Sequence, residues 1–122
     1  MSDITVIGLG PGSPMQISLG AIHALRSADH IYFRTMVHPV IPWIIKELNL
    51  TPTCYTAFDS YYETADSFEQ VYARILETLT MEVSSKGQAT YAVPGHPGVA
   101  ETTVIQLVEW AKHEGKTVEI IP

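Results

Sequence analysis

Short apolar runs rich in β-branched residues alternate along this sequence with longer segments of helical period, and that alternation restricts the fold more than any single motif. Ile4 to Leu9 is a compact apolar strand ending in a Gly/Pro turn. Ser18 is placed to cap a helix to about Ser27, with Ile22 and Leu25 on one face. Residues 29–33 form a second strand. Pro39 and Pro42 open a short helix that carries Trp43, Ile44 and Ile45 and ends near Leu48. Residues 53–57 make a third strand. Ser67 and Gln70 have capping-box spacing, and Phe68, Val71, Tyr72, Ile75, Leu76 and Leu79 form an i, i+3, i+4 stripe that Gly87 stops. Residues 89–94 form a fourth strand, a helix runs from about Thr102 to Gly115, and Thr117 to Ile121 is a last strand. The expected fold is α/β: a five-stranded, mainly parallel sheet with helices on both faces and right-handed crossovers.

Composition narrows the class of function. Thirteen acids stand against seven bases, a formal charge of −6, and no Lys/Arg cluster is present, which argues against nucleic-acid binding. No apolar run approaches the roughly 20 residues of a membrane span. Cys54 is the single cysteine, so it has no internal disulfide partner, and the reading is a cytoplasmic protein. His23, His30, His38, His96 and His113 lack the spacings of a zinc site. The acid-rich stretch Asp59 to Glu63 lacks paired Glu-x-x-Glu ligands and reads as a solvated loop. Trp43 and Trp110 read as packing or interface residues.

Two loops follow strands one and four. The first is Gly8-Leu9-Gly10-Pro11-Gly12-Ser13-Pro14. Its glycines permit tight turning and close backbone approach, but its spacing matches neither the dinucleotide fingerprint nor the Walker loop. The second, Pro94-Gly95-His96-Pro97-Gly98-Val99-Ala100-Glu101, packs two prolines and two glycines into five residues and so has a stiff, irregular backbone. In open parallel sheets ligands sit beyond the carboxyl ends of strands, where both loops fall. Each loop alone is also compatible with a plain strand-to-helix connection.

The run Ile4 to Pro14, then Ile17-Ser18-Leu19 and Ala28-Asp29, resembles the opening of tetrapyrrole (corrin/porphyrin) methylases. Tyr91 to Pro97 lies where that family has a Gly-Asp-Pro loop, and Val118 to Pro122 resembles the strand that leads into its second lobe. Arg34-Thr35, His38-Pro39, Phe58 to Glu63 and Ser67-Phe68-Glu69 look closest to a branch in which the domain precedes a MazG-type nucleotide pyrophosphohydrolase. The resemblance implies that residues 1–122 are an N-terminal lobe without its second lobe. It also implies a homodimeric transferase acting on a small molecule, with S-adenosyl-L-methionine as cofactor and no metal. Cofactor contacts carried over are Pro11, Pro94, Gly95, His96 and Val99. His96 replaces the family's aspartate, an exchange that main-chain recognition tolerates. Arg34 stands where some members carry an acid; it suits a substrate carboxylate, with a surface salt bridge as the competing reading. The alternative function is a non-catalytic ligand-binding or regulatory module joined to a pyrophosphohydrolase.

Overall fold

A computed structural model describes residues 2–98 and 101–122. Strands β1 (Ile4–Gly8), β2 (Ile31–Phe33), β3 (Tyr55–Ala57), β4 (Ala89–Val93) and β5 (Val118–Ile121) form one sheet in the order β3-β2-β4-β1-β5. Every pairing is parallel. The helices are α1 (Leu19–Ser27), α2 (Ile41–Glu47), α3 (Asp59–Thr64), α4 (Phe68–Lys86) and α5 (Thr102–Glu114). The expected fold class is therefore the observed one.

Strand periodicity divides the core between the two faces. Ile4, Val6, Tyr32, Tyr91 and Val93 pack with Val71, Ile75, Leu79 and Val83 of α4 and with Val104, Leu107 and Ala111 of α5. Ile7, Ile31, Phe33 and Ala92 point the other way, onto Ala21 and Leu25 of α1 and Ile41 and Ile44 of α2. The α4 stripe alone contributes four buried aliphatic side chains, each stabilising by about 1.5–3 kcal/mol as an upper range. Ser67 caps α4, its hydroxyl accepting the Gln70 N–H, and Gly87 ends it in a left-handed turn with φ +84°.

Several elements are shorter than the sequence suggests, each for a local reason. Pro52 starts a 3-10 turn over Pro52–Cys54, so β3 begins at Tyr55 rather than residue 53. Pro94 has no N–H to extend β4. Residues 29 and 30 bend before β2, and the Asp29 carboxylate accepts a bond from the Gln88 amide. The larger correction concerns Asp59 to Glu63, expected as a solvated loop. It is the helix α3, and the Asp59 carboxylate receives the Thr35 hydroxyl at 2.6 Å and the Met36 N–H at 2.8 Å.

Candidate functional site at the carboxyl edge of the sheet

The chain leaves β1 toward α1 on one face and leaves β4 toward α5 on the other. Because β1 and β4 are neighbours, their carboxyl ends form the kind of switch point where open α/β sheets bind ligands. The two loops singled out in the sequence lie at that switch point, and they are bonded to each other. Gly10 donates its N–H to the Gly95 carbonyl at 3.2 Å, and Gly95 donates to the Gly10 carbonyl at 3.0 Å, an isolated antiparallel bridge. The Leu9 N–H to Val93 carbonyl bond at 2.9 Å leads into it.

Glycine is favoured on both sides of this bridge. Gly10 (φ +72°) and Gly95 (φ +68°) are left-handed, and a Cβ on Gly10 would stand 2.8 Å from the Gln16 carbonyl oxygen. At Gly95 a Cβ would meet nothing within 4 Å among the described residues. Pro11 is exposed beside it, and Pro94 is partly covered. His96 is exposed and turns its ring back on its own loop, with Nδ1 accepting the Gly98 N–H at 2.9 Å. In the neutral ring the proton then belongs on Nε2. Val99, also expected at the site, lies outside the described residues. Pro11, Pro94, Gly95 and His96 are thus gathered at one rim.

Arg34 follows β2 on the same edge, its N–H bonded to the Ala92 carbonyl. Its Nε lies 3.4 Å from Glu101 at the start of α5, and its Nη1 donates to the Tyr62 hydroxyl at 3.3 Å. The side chains are 27% and 12% exposed, so this pair is half-buried rather than the surface salt bridge considered from sequence. Burial pulls the Arg34 pKa down, but the Tyr62 hydrogen bond and the Glu101 charge outweigh it and the net shift is upward. Burial raises the Glu101 carboxyl above its usual range, and Arg34 only partly offsets that. The 3.4 Å separation fixes the sense of the interaction: each charge favours the other, against the cost of dehydrating both. Beneath them the Tyr91 hydroxyl meets Thr103 at 2.9 Å, and burial pushes its pKa up.

Sequence reasoning passed over one residue at this edge. His38, buried in the β2–α2 loop, brings its Nε2 to 2.9 Å from the Gly10 carbonyl. The His38-Pro39 pair was a visible signal, but nothing in it indicated a contact with the first loop.

The sequence matches the tetrapyrrole (corrin/porphyrin) methylases over residues 3–122. The chain belongs to that family. It is 41% identical over 117 residues to YabN, an uncharacterized protein of Bacillus subtilis, covering 96% of this chain and 23% of that protein. It is 27% identical over 119 residues to a methyltransferase and type I borosin cyclic peptide precursor of Cerrena unicolor, covering 98% of this chain and 28% of that protein. The crystal structure of uroporphyrin-III C-methyltransferase from Thermus thermophilus complexed with S-adenyl homocysteine shares the fold, with a TM-score of 0.62 at 20% identity over 98% of this chain and 44% of that one. The chain therefore spans about a quarter of these curated relatives and less than half of that enzyme.

Proposed function

We propose that this family member is the S-adenosylmethionine-binding lobe of a methyltransferase whose active site is completed by a second lobe. The observation that carries the reading is the reciprocal Gly10–Gly95 bridge at the β1/β4 switch point. It holds the two loops together while leaving side-chain-free backbone at Gly95, where a Cβ would meet nothing within 4 Å among the described residues. The residues present fit such a ligand by shape: the Gly95 backbone, its N–H and carbonyl held by Gly10, presents a surface on which no side chain of Gly95 competes for the space. Cofactor contacts are assigned to Pro11, Pro94, Gly95 and His96. When bound, the cofactor supplies a methyl group on a sulfonium that leaves readily. The lobe's own contribution is to bind, orient and shield from water.

The acceptor is a small molecule. Arg34 is already paired with Glu101, and the remaining arginines, Arg26 and Arg74, lie on α1 and α4. This edge is thus poorly equipped for a polyanionic macrocycle. Among the described residues no helix is long and apolar enough to cross a membrane. We place the protein in the cytoplasm as a homodimer.

The test is calorimetric titration of S-adenosylhomocysteine into the full gene product, with residues 1–122 in parallel. Saturable binding to the long form, lost in Gly95→Phe without loss of fold, supports the reading. Absence of binding at millimolar ligand would sink it. A second reading, a regulatory module joined to a nucleotide pyrophosphohydrolase, is favoured by the way His96 closes on its own loop and Arg34 on Glu101. Binding of a nucleoside triphosphate but not S-adenosylhomocysteine would select it.

A further inference from the structure

The Gly10 carbonyl is the meeting point of three loops. It accepts the Gly95 N–H from the loop after β4 at 3.0 Å and faces His38 Nε2 from the loop after β2 at 2.9 Å. The other ring nitrogen of His38, Nδ1, accepts the Val40 N–H at 3.2 Å. An imidazole nitrogen that accepts carries no proton, so Nε2 bears the hydrogen and donates to Gly10. His38 is 8% exposed, and its loop is itself tied down. Thr35 donates to Asp59 while accepting the Val37 N–H, Asp59 also accepts the Met36 N–H, and the His38 N–H bonds the Met36 carbonyl. A continuous series of hydrogen bonds thus runs from the start of α3, through the β2–α2 loop, to the bridge between the two ligand loops.

We infer that His38 is a positioning residue for the ligand rim: its Nε2–H fixes the Gly10 peptide, and through it Gly95, in the binding orientation. This rests on the ligand-binding reading above, since it says which side chain holds that rim in place. The Gly10 carbonyl has two lone pairs, and His38 and Gly95 take both. Without His38 the bridge is left to its two reciprocal hydrogen bonds between left-handed glycines, the most flexible residues available. Arg34 and Thr35 stand on the same loop as His38. The anchored loop therefore also sets the spacing between the Arg34–Glu101 pair and the cofactor rim.

Two variants separate the ring's two bonds. In His38→Asn the amide oxygen takes the place of Nδ1 and keeps the Val40 bond, but no donor reaches Gly10. In His38→Gln the amide nitrogen takes the place of Nε2 and keeps the Gly10 bond. Amide hydrogen exchange at Gly95 is measured without ligand, and S-adenosylhomocysteine affinity is measured on the full gene product. The expected result is exchange about tenfold faster and binding about tenfold weaker in His38→Asn, with His38→Gln close to the parent in both. Equal behaviour of the two variants would overturn the inference. So would ¹⁵N shifts showing the Nδ1–H tautomer in the unmodified protein, a measurement that needs no variant. If the parent binds no ligand yet the exchange contrast holds, the positioning role stands and the cofactor reading fails.

Discussion

The Cδ of Pro97 lies 2.7 Å from the point where a Cβ on Gly8 would stand, with the Gly95 carbonyl oxygen 2.8 Å away on the same side. Strand β1 can therefore reach the second loop only because its last residue lacks a side chain. Gly8→Ala is expected to destabilise by about 1–3 kcal/mol, the usual range for overpacking. It should appear as a lower denaturant midpoint with an unchanged slope. Gly95→Ala meets no neighbour among the described residues and should cost the left-handed backbone, about 1–2 kcal/mol. An unchanged midpoint for Gly8→Ala would mean that the second loop packs less closely than this.

The Arg34–Glu101 pair predicts strong coupling. Arg34→Met leaves a nearly enclosed carboxylate without its cation and should cost about 1–3 kcal/mol, below the range for fully buried pairs because Arg34 is partly hydrated. Glu101→Gln leaves the mirror-image defect. The double variant should be less destabilised than the two single losses added together, by about 0.5–3 kcal/mol in a thermodynamic cycle. The sign with pH follows from burial. Glu101 is raised, so the folded chain binds its proton at a higher pH than the unfolded chain, and removing Arg34 raises it further. The deficit of Arg34→Met should shrink as pH falls from 7 toward the ordinary value of 4.5. A deficit independent of pH would show that packing, not charge, is lost.

Asp3 behaves in the opposite sense. Its carboxylate accepts the Thr117 N–H at 2.8 Å and the Thr117 hydroxyl at 3.1 Å, which pins the start of β5 to the start of β1. The backbone bond from Thr117 leads in holding its pKa below the ordinary 3.8. The stability this contributes is complete above 3.8 and is lost as pH falls through the lower folded value. Urea midpoints of the parent and Asp3→Asn should differ at neutral pH and converge below pH 3.8. Divergence on acidification would contradict the assignment.

Tyr91 and Thr103 join β4 to α5 through a fully buried hydroxyl pair. Tyr91→Phe strands the Thr103 hydroxyl, at a cost of about 1–3 kcal/mol. Adding Thr103→Val removes the stranded group and should restore most of the loss. Thermal unfolding of the three variants checks this; failure of the second change to restore stability would point to shape rather than hydrogen bonding.

What could be read from the sequence was what local spacing encodes. The α4 stripe at Val71, Ile75 and Leu79 and the caps at Ser18 and Ser67 are set within a few residues of chain, and they appear where expected, whereas Phe68 at the head of the stripe is exposed. The insertion of β4 between β2 and β1 depends on pairings such as Ile4 with Ala89, which no local pattern announces. Helix α3 escaped because its six residues contribute no fully buried side chain, so it has no apolar stripe to detect. At the site, the rigid loops around Gly10 and Gly95 were legible from their glycines and prolines. The partners of Arg34 and the reach of His38 to Gly10 were not, because Glu101 and Gly10 approach them only after the sheet has formed.

The placement of β1 between β4 and β5 also sets a birth order. Strand β1 precedes both of its neighbours in the chain, and they are the last two strands of this sheet. During synthesis at about 5–20 residues per second, Ile4, Val6 and Ile7 wait on the order of ten seconds before residue 89 is added. Nothing can complete the sheet sooner, since β2 borders the space left for β4 rather than β1 itself, and β3 lies beyond β2. A largely buried strand is thus the one left longest without company, and a nascent chain arrested before β4 would present it to whatever chaperone stands at the ribosome exit.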